Sequence, residues 1–150
     1  MTTFPDESAT LEGVAPLVMR LLTHEECIAH LTASRYGRLA VLNGAQPEIF
    51  PVNYVLDGDR VVIRTGEGTK LTHASLDPVA FEIDATDPGS GEGWSVVVKG
   101  TARDISTALD DASERERLLP LGSLGAAEGL HWLRIVPKEI TGRKFSRRPA

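Results

Sequence analysis

Three strand-like runs, joined by turns too short to hold a helix, constrain this chain more than any other feature. Gly37-Arg38-Leu39-Ala40-Val41-Leu42 reads as a strand, Asn43-Gly44 is a strong hairpin dipeptide, and Gln46 to Leu56 reads as the partner strand. Asp57-Gly58-Asp59 then turns the chain into Val61-Val62-Ile63-Arg64-Thr65. A parallel pair needs a crossover of about a dozen residues, and none is present, so the three strands form an antiparallel meander. Pro51 lacks a ladder donor, which predicts a bulge, a sheet edge, or a place where something other than a strand meets the backbone.

The rest of the chain adds strands by period-two alternation. Val79, Phe81, Ile83 and Ala85 alternate with Ala80, Glu82 and Asp84; Trp94, Val96, Val98, Gly100 and Ala102 alternate with Ser95, Val97, Lys99, Thr101 and Arg103. Trp132 to Val136 is a last strand, with Pro137 allowing a bend before Ile140 to Phe145. Thr23-His24-Glu25-Glu26 is a capping box and predicts a helix from Thr23 to Ser34 with Cys27, Ile28 and Leu31 on its buried side. A short helix is expected from Lys70 to about Ser75, ended by Asp77-Pro78, and a peripheral one over Leu109 to Leu119. The sum is a mainly β fold: a six-stranded antiparallel barrel, closed or nearly so, with peripheral helices. Residues 1–20 read as an arm, flexible or lying on a partner subunit, 21–146 as the domain, and 147–150 as a solvated tail.

Composition removes several classes of function. With 150 residues and 41% hydrophobic content the chain can bury one core, and its net charge of −5 gives no nucleic-acid surface. A single cysteine, Cys27, allows neither an internal disulfide nor a cysteine metal site, and fits a reducing cytoplasm. No run approaches the ~20 apolar residues of a membrane span. His24, His30, His73 and His131 lack helical zinc spacing, and no Gly-x-Ser-x-Gly elbow is present. No metal ligand and no catalytic side chain is assigned, which suits a protein whose cofactor does the chemistry.

The stretch that could hold such a cofactor is Val61 to Leu71, VVIRTGEGTKL. A strand that delivers glycines, hydroxyls and a lysine to a helix start can cradle a phosphate, because the first-turn N–H groups are free and the glycines let the backbone approach. It is neither a Walker loop, which needs Gly-Lys-Ser/Thr, nor a G-x-G-x-x-G dinucleotide turn. Spacing alone favours an ordinary glycine-containing turn capped by Thr69, because short Gly/Thr/Lys strings are frequent. Phe50, Val52 and Tyr54 opposite Ile49 and Val55 give one strand two apolar faces, which predicts a second subunit against the outer face.

The run GRLAVLNGAQPEIFPVNYVLDGDRVVIRTGEGTKL, followed by GWSVVVKGTARDI and HWLRIVPKEITGRKF, resembles the short members of the pyridoxamine 5′-phosphate oxidase-like family of FMN-binding split barrels. That resemblance implies a homodimer with FMN at the subunit interface and a small-molecule substrate. It places the phosphate on Arg64, Thr65, Gly68, Thr69 and Lys70, and the isoalloxazine edge on Pro51, Val52 and Asn53. Trp94 and Ser95, from the other subunit, and Arg143 would complete the site. The implied activity is that of a flavin-dependent oxidoreductase; a deazaflavin reductase and a non-catalytic flavin or haem carrier are the alternatives. The longer C-terminal half of the true oxidases is reduced here to Trp132, Arg134 and Gly142-Arg143.

Overall fold

The computed structural model describes residues 13–66, 74–121 and 131–147. In chain order these form β1 (Val18–Leu21), α1 (His24–Ala33), β2 (Tyr36–Asn43), β3 (Gln46–Asp57), β4 (Arg60–Thr65), β5 (Ser75–Thr86), β6 (Gly93–Asp104), α2 (Asp111–Glu116) and β7 (His131–Ser146). All strand pairings are antiparallel, in the order β1-β7-β4-β3-β2-β5-β6, and β6 returns to β7. Six strands therefore close a ring, as the alternation predicts, and β1 is a seventh strand on the outside of β7. The fold is the split barrel of the expectation.

The core fills the ring from the inward positions. Leu39, Phe50, Val52, Tyr54, Val61, Ile63, Phe81, Ile83, Val96, Val98, Leu133 and Ile135 are all buried. Helix α1 closes one side with Cys27 and Leu31, so Cys27 is core as its helical position suggests. Two glycines make this packing possible. A Cβ on Gly142 would lie 2.8 Å from the Cys27 Sγ, and one on Gly37 would lie 2.5 Å from the Phe81 ring. Both would be well inside contact distance, so glycine here sets how closely helix and strands approach.

Several boundaries differ from expectation. Val18–Leu21 is not free arm but pairs with Leu21↔Arg143 through Val18↔Ser146. Helix α1 begins as predicted, with the Glu26 N–H donating to Thr23 Oγ1 at 3.2 Å. The Glu26 carboxylate does not complete the box; it accepts from Arg20 of β1 at 3.0 Å, a charged donor that outcompetes a neutral N–H. Ser75 is already strand and Asp77-Pro78, a cis peptide, lies within β5 rather than ending a helix. The helical segment expected before it falls on residues 67–73, outside the described residues. Helix α2 is shorter than Leu109 to Leu119, and β7 runs unbroken through Pro137, where a register shift opposite Lys99 and Gly100 absorbs the proline. Arg147 is not solvated tail: its N–H donates to Glu92 Oε1 at 2.8 Å, its Nε to Ser90 O at 2.7 Å and its Nη1 to Ala15 O at 2.9 Å. No described helix is long and apolar enough to cross a membrane.

Candidate functional site

Strand alternation sorts the candidate residues before any side chain is considered. On β3 and β4, Pro51, Asn53 and Arg64 point outward, whereas Val52 and Thr65 are inward and buried. The side chain of Val52 therefore belongs to the core, and only its backbone can meet a ligand on the outer face. Pro51 pairs with Arg38 of β2, but the β4 ladder begins two residues later at Asn53↔Arg64. On that side no described strand requires the missing N–H, which is how a proline is accommodated in mid-strand.

One outward row runs Trp132, Arg64, Asn53, Tyr36 across β7, β4, β3 and β2. Arg64 sits 5.5 Å from the Trp132 ring centroid, and its Nη1 donates to Leu121 O at 3.4 Å. Among the described residues no carboxylate pairs with it, and its Nε is buried without a hydrogen-bond partner. A half-buried guanidinium with no counter-ion among the described residues leaves a positive field at the end of β4. Gly68, Thr69 and Lys70 lie outside the described residues. A cleft of about 350 Å³ is lined by Asn53, the register partner of Arg64, with Val55, Arg35 and Leu121 among others.

The remaining candidates are elsewhere. Ser95 and Arg143 are register partners facing outward on β6 and β7, where they line a cavity of about 330 Å³ with Val97, Lys99 and Thr141. Arg64 is the register partner of Trp132, eleven residues before Arg143 on the same strand. At ~3.3 Å per residue the two positions are separated by at most about 36 Å along β7. They stand toward opposite ends of β7. Trp94 alternates with Ser95 and faces the other way, stacked on His30 of α1 with ring centroids 3.8 Å apart. Burial, and then the Lys144 charge, lower the His30 pKa against the opposing effect of Glu26.

Two charged clusters escape a reading by spacing. Glu82 and Asp84, which look like a solvated strand face, are bound by Arg38, Nε to Glu82 at 2.9 Å and Nη2 to Asp84 at 2.7 Å. Burial raises the Glu82 pKa despite the Arg38 hydrogen bond. The signal was present in the alternation of Arg38 with Leu39, but the β2–β5 pairing joins residues 44 positions apart. His131, the register partner of Thr65, has its Nδ1 3.2 Å from Asp104 Oδ2. Burial raises the Asp104 pKa, but hydrogen bonds from Ser106 and the nearby His131 bring it below the usual value. Among the described residues no cluster of His, Cys, Asp and Glu could hold a metal.

A family model for pyridoxamine 5′-phosphate oxidase matches residues 23–144, nearly all of α1 through β7. The chain belongs to the pyridoxamine 5′-phosphate oxidase family. Among solved structures, an FAD binding protein from Mycobacterium smegmatis is 36% identical with a TM-score of 0.69, over 85% of this chain and all of that one (100%). An FAD-binding protein from Mesorhizobium loti shares the fold at 23% identity, TM-score 0.68, covering 87% of this chain and 99% of its own. An uncharacterised Mycobacterium tuberculosis protein is 43% identical over 93 residues, 61% of this chain and 80% of that protein. This family member therefore keeps the split-barrel frame.

Proposed function

We propose that the protein is a homodimeric, FMN-dependent oxidoreductase acting on a small organic acceptor. The observation that carries this reading is Arg64, a guanidinium at the end of β4 with no carboxylate partner among the described residues, in register with Asn53 and two residues before Gly66-Glu67-Gly68-Thr69-Lys70 in the sequence. Arg64 and the Thr65 backbone would hold the phosphate together with the following loop, and Pro51 to Asn53 would present backbone and amide groups to the ring edge. The chemistry a bound flavin supplies is hydride transfer from a reduced nicotinamide to the acceptor. The protein's part is to bind, orient and shield, and no side chain here is assigned as an obligatory acid or base.

The residues present fit that role. A phosphate would give the Arg64 guanidinium the anionic partner that no described residue supplies, and an exposed Pro51 leaves room for a planar ring over β3. The distance from Arg64 to Ser95 and Arg143 supports a second subunit: each site would take Arg64 from one copy and Ser95 and Arg143 from the other. Ile49, 67% exposed on the outer face of β3, adds apolar area for such a contact. Trp94 contributes from beneath, by packing α1 against β6, rather than by direct contact.

FAD is a second reading, favoured by the M. smegmatis relative's described ligand; deazaflavin and a non-catalytic carrier remain distinct outcomes. Mass and absorbance of the co-purifying cofactor separate FMN, FAD and deazaflavin. A yellow protein bleached by NAD(P)H supports the oxidoreductase, and one that no donor reduces identifies a carrier. A colourless protein with no flavin affinity overturns the proposal.

A further inference from the structure

Arg64 is held by more than its own strand. Trp132 lies under its guanidinium, 5.5 Å from ring centroid to Cζ, and the Leu121 carbonyl accepts from Nη1. The backbone of Trp132 is itself fixed, its N–H donating to Ser106 Oγ at 3.0 Å. Two residues on, with the same outward parity on β7, Arg134 donates to Glu116 of α2 at 3.0 Å and to Ser113 at 3.2 Å, and both these partners are fully buried. Arg117, just after α2, donates from Nη1 to Ile105 O and Ala108 O, each at 2.7 Å. The segment carrying Leu121 is thus anchored at its start, while β7 supplies both the anchor and the ring.

We propose that Trp132 is a positioning residue that, with the Leu121 carbonyl, clamps Arg64 in the geometry that selects a phosphorylated ligand over its unphosphorylated form. This rests on the reading of Arg64 as a phosphate ligand. An arginine has several rotatable bonds and binds an anion weakly when it must be ordered on binding. Stacked on an indole and tethered through Nη1, it is ordered beforehand, and its second Nη remains for the ligand. The ring adds no charge-neutralising group, so the clamp fixes the cation without lowering its charge.

The test compares FMN with riboflavin, which lacks only the phosphate, on wild-type apoprotein, Trp132→Leu, Trp132→Phe, Arg64→Ala and the Arg64→Ala/Trp132→Leu double variant. Flavin fluorescence gives Kd, and the thermal midpoint of each variant reports folding. Trp132→Leu raises the FMN Kd by about tenfold and leaves riboflavin unchanged, because only the phosphate contact is lost. Trp132→Phe, still an aromatic face, recovers most of the loss. The double variant binds FMN no more weakly than Arg64→Ala alone, since a clamp without its arginine has no function. Equal losses for FMN and riboflavin, additive losses, or no loss on Trp132→Leu overturn the clamp while leaving flavin binding intact. If wild type binds neither flavin, the functional reading fails on its own. The clamp is then decided with inorganic phosphate, followed at the Arg64 Nε–H by NMR: a shift in wild type that weakens in Trp132→Leu upholds it, and no difference overturns it.

Discussion

Glu116 and Arg134 form an ion pair at 3.0 Å with side chains 0% and 8% exposed, so α2 is joined to β7 by charges that water does not reach. Arg60 adds a longer contact at 3.6 Å, and Glu116 Oε2 has no partner among the described residues. Removing one member of such a pair strands the other in a low-dielectric site. Glu116→Ala is expected to cost ~3–5 kcal/mol of unfolding free energy. Replacing both, as Glu116→Leu with Arg134→Met, costs much less because no charge is left buried. Urea denaturation of the single and double variants checks this, and a single-variant loss under about 1 kcal/mol contradicts it.

Gly142 is where β7 passes under α1. With a Cβ only 2.8 Å from both Cys27 Sγ and Leu22 Cδ1, Gly142→Ala must push the helix outward or move two core side chains. Overpacking of this kind costs ~1–3 kcal/mol. Adding Cys27→Ala, which removes the sulfur, returns part of that loss, so the two substitutions are non-additive in the stabilising direction. Additive losses in the same denaturation experiment would place the strain elsewhere.

Much of this architecture is legible in the sequence because its signals are local. Asn43-Gly44 supplies the positive φ of a tight turn, +60° at Gly44, and period-two alternation places Phe81, Ile83, Val96 and Val98 in the core. Strand β1 escapes because its four residues carry no alternation: three are exposed, and Arg20 is only half-buried. The Asp77-Pro78 step looks like a stop, yet β5 continues through it in the cis form. The opposite faces of Trp94 and Ser95 follow from their adjacency. In contrast, the meeting of Arg64 with Trp132 depends on the β4–β7 register, which no local pattern encodes.

His30 offers a pH readout of the α1–β6 contact. Its imidazole stacks on Trp94 at 3.8 Å, and burial and the Lys144 charge both disfavour the protonated form. A histidine whose folded pKa lies below the unfolded value of 6.5 contributes stability above 6.5, and loses it as pH falls through that value toward the folded pKa. The His30 Cε1–H resonance should therefore titrate below 6.5. Unfolding free energy measured from pH 7 down to 5 should fall less steeply in His30→Phe than in wild type. A midpoint at or above 6.5 would contradict the burial argument.

Sharing of the site between subunits can be tested without seeing the dimer. On the proposed reading, Arg64→Ala and Arg143→Ala would each remove one contact, and each is expected to weaken FMN binding by about one to two orders of magnitude. In a two-fold dimer built from one copy of each variant, one site carries both substitutions and the other carries neither. After the two variants are unfolded together and refolded at equal concentration, half the dimers are mixed, and roughly one quarter of all sites regain wild-type affinity. Titration with FMN should then resolve a tight class that neither variant has alone. If Arg64 and Arg143 acted in the same subunit's site, mixing would restore nothing. A mixture without tight sites, from variants that each bind weakly, would show that the two arginines do not meet across an interface.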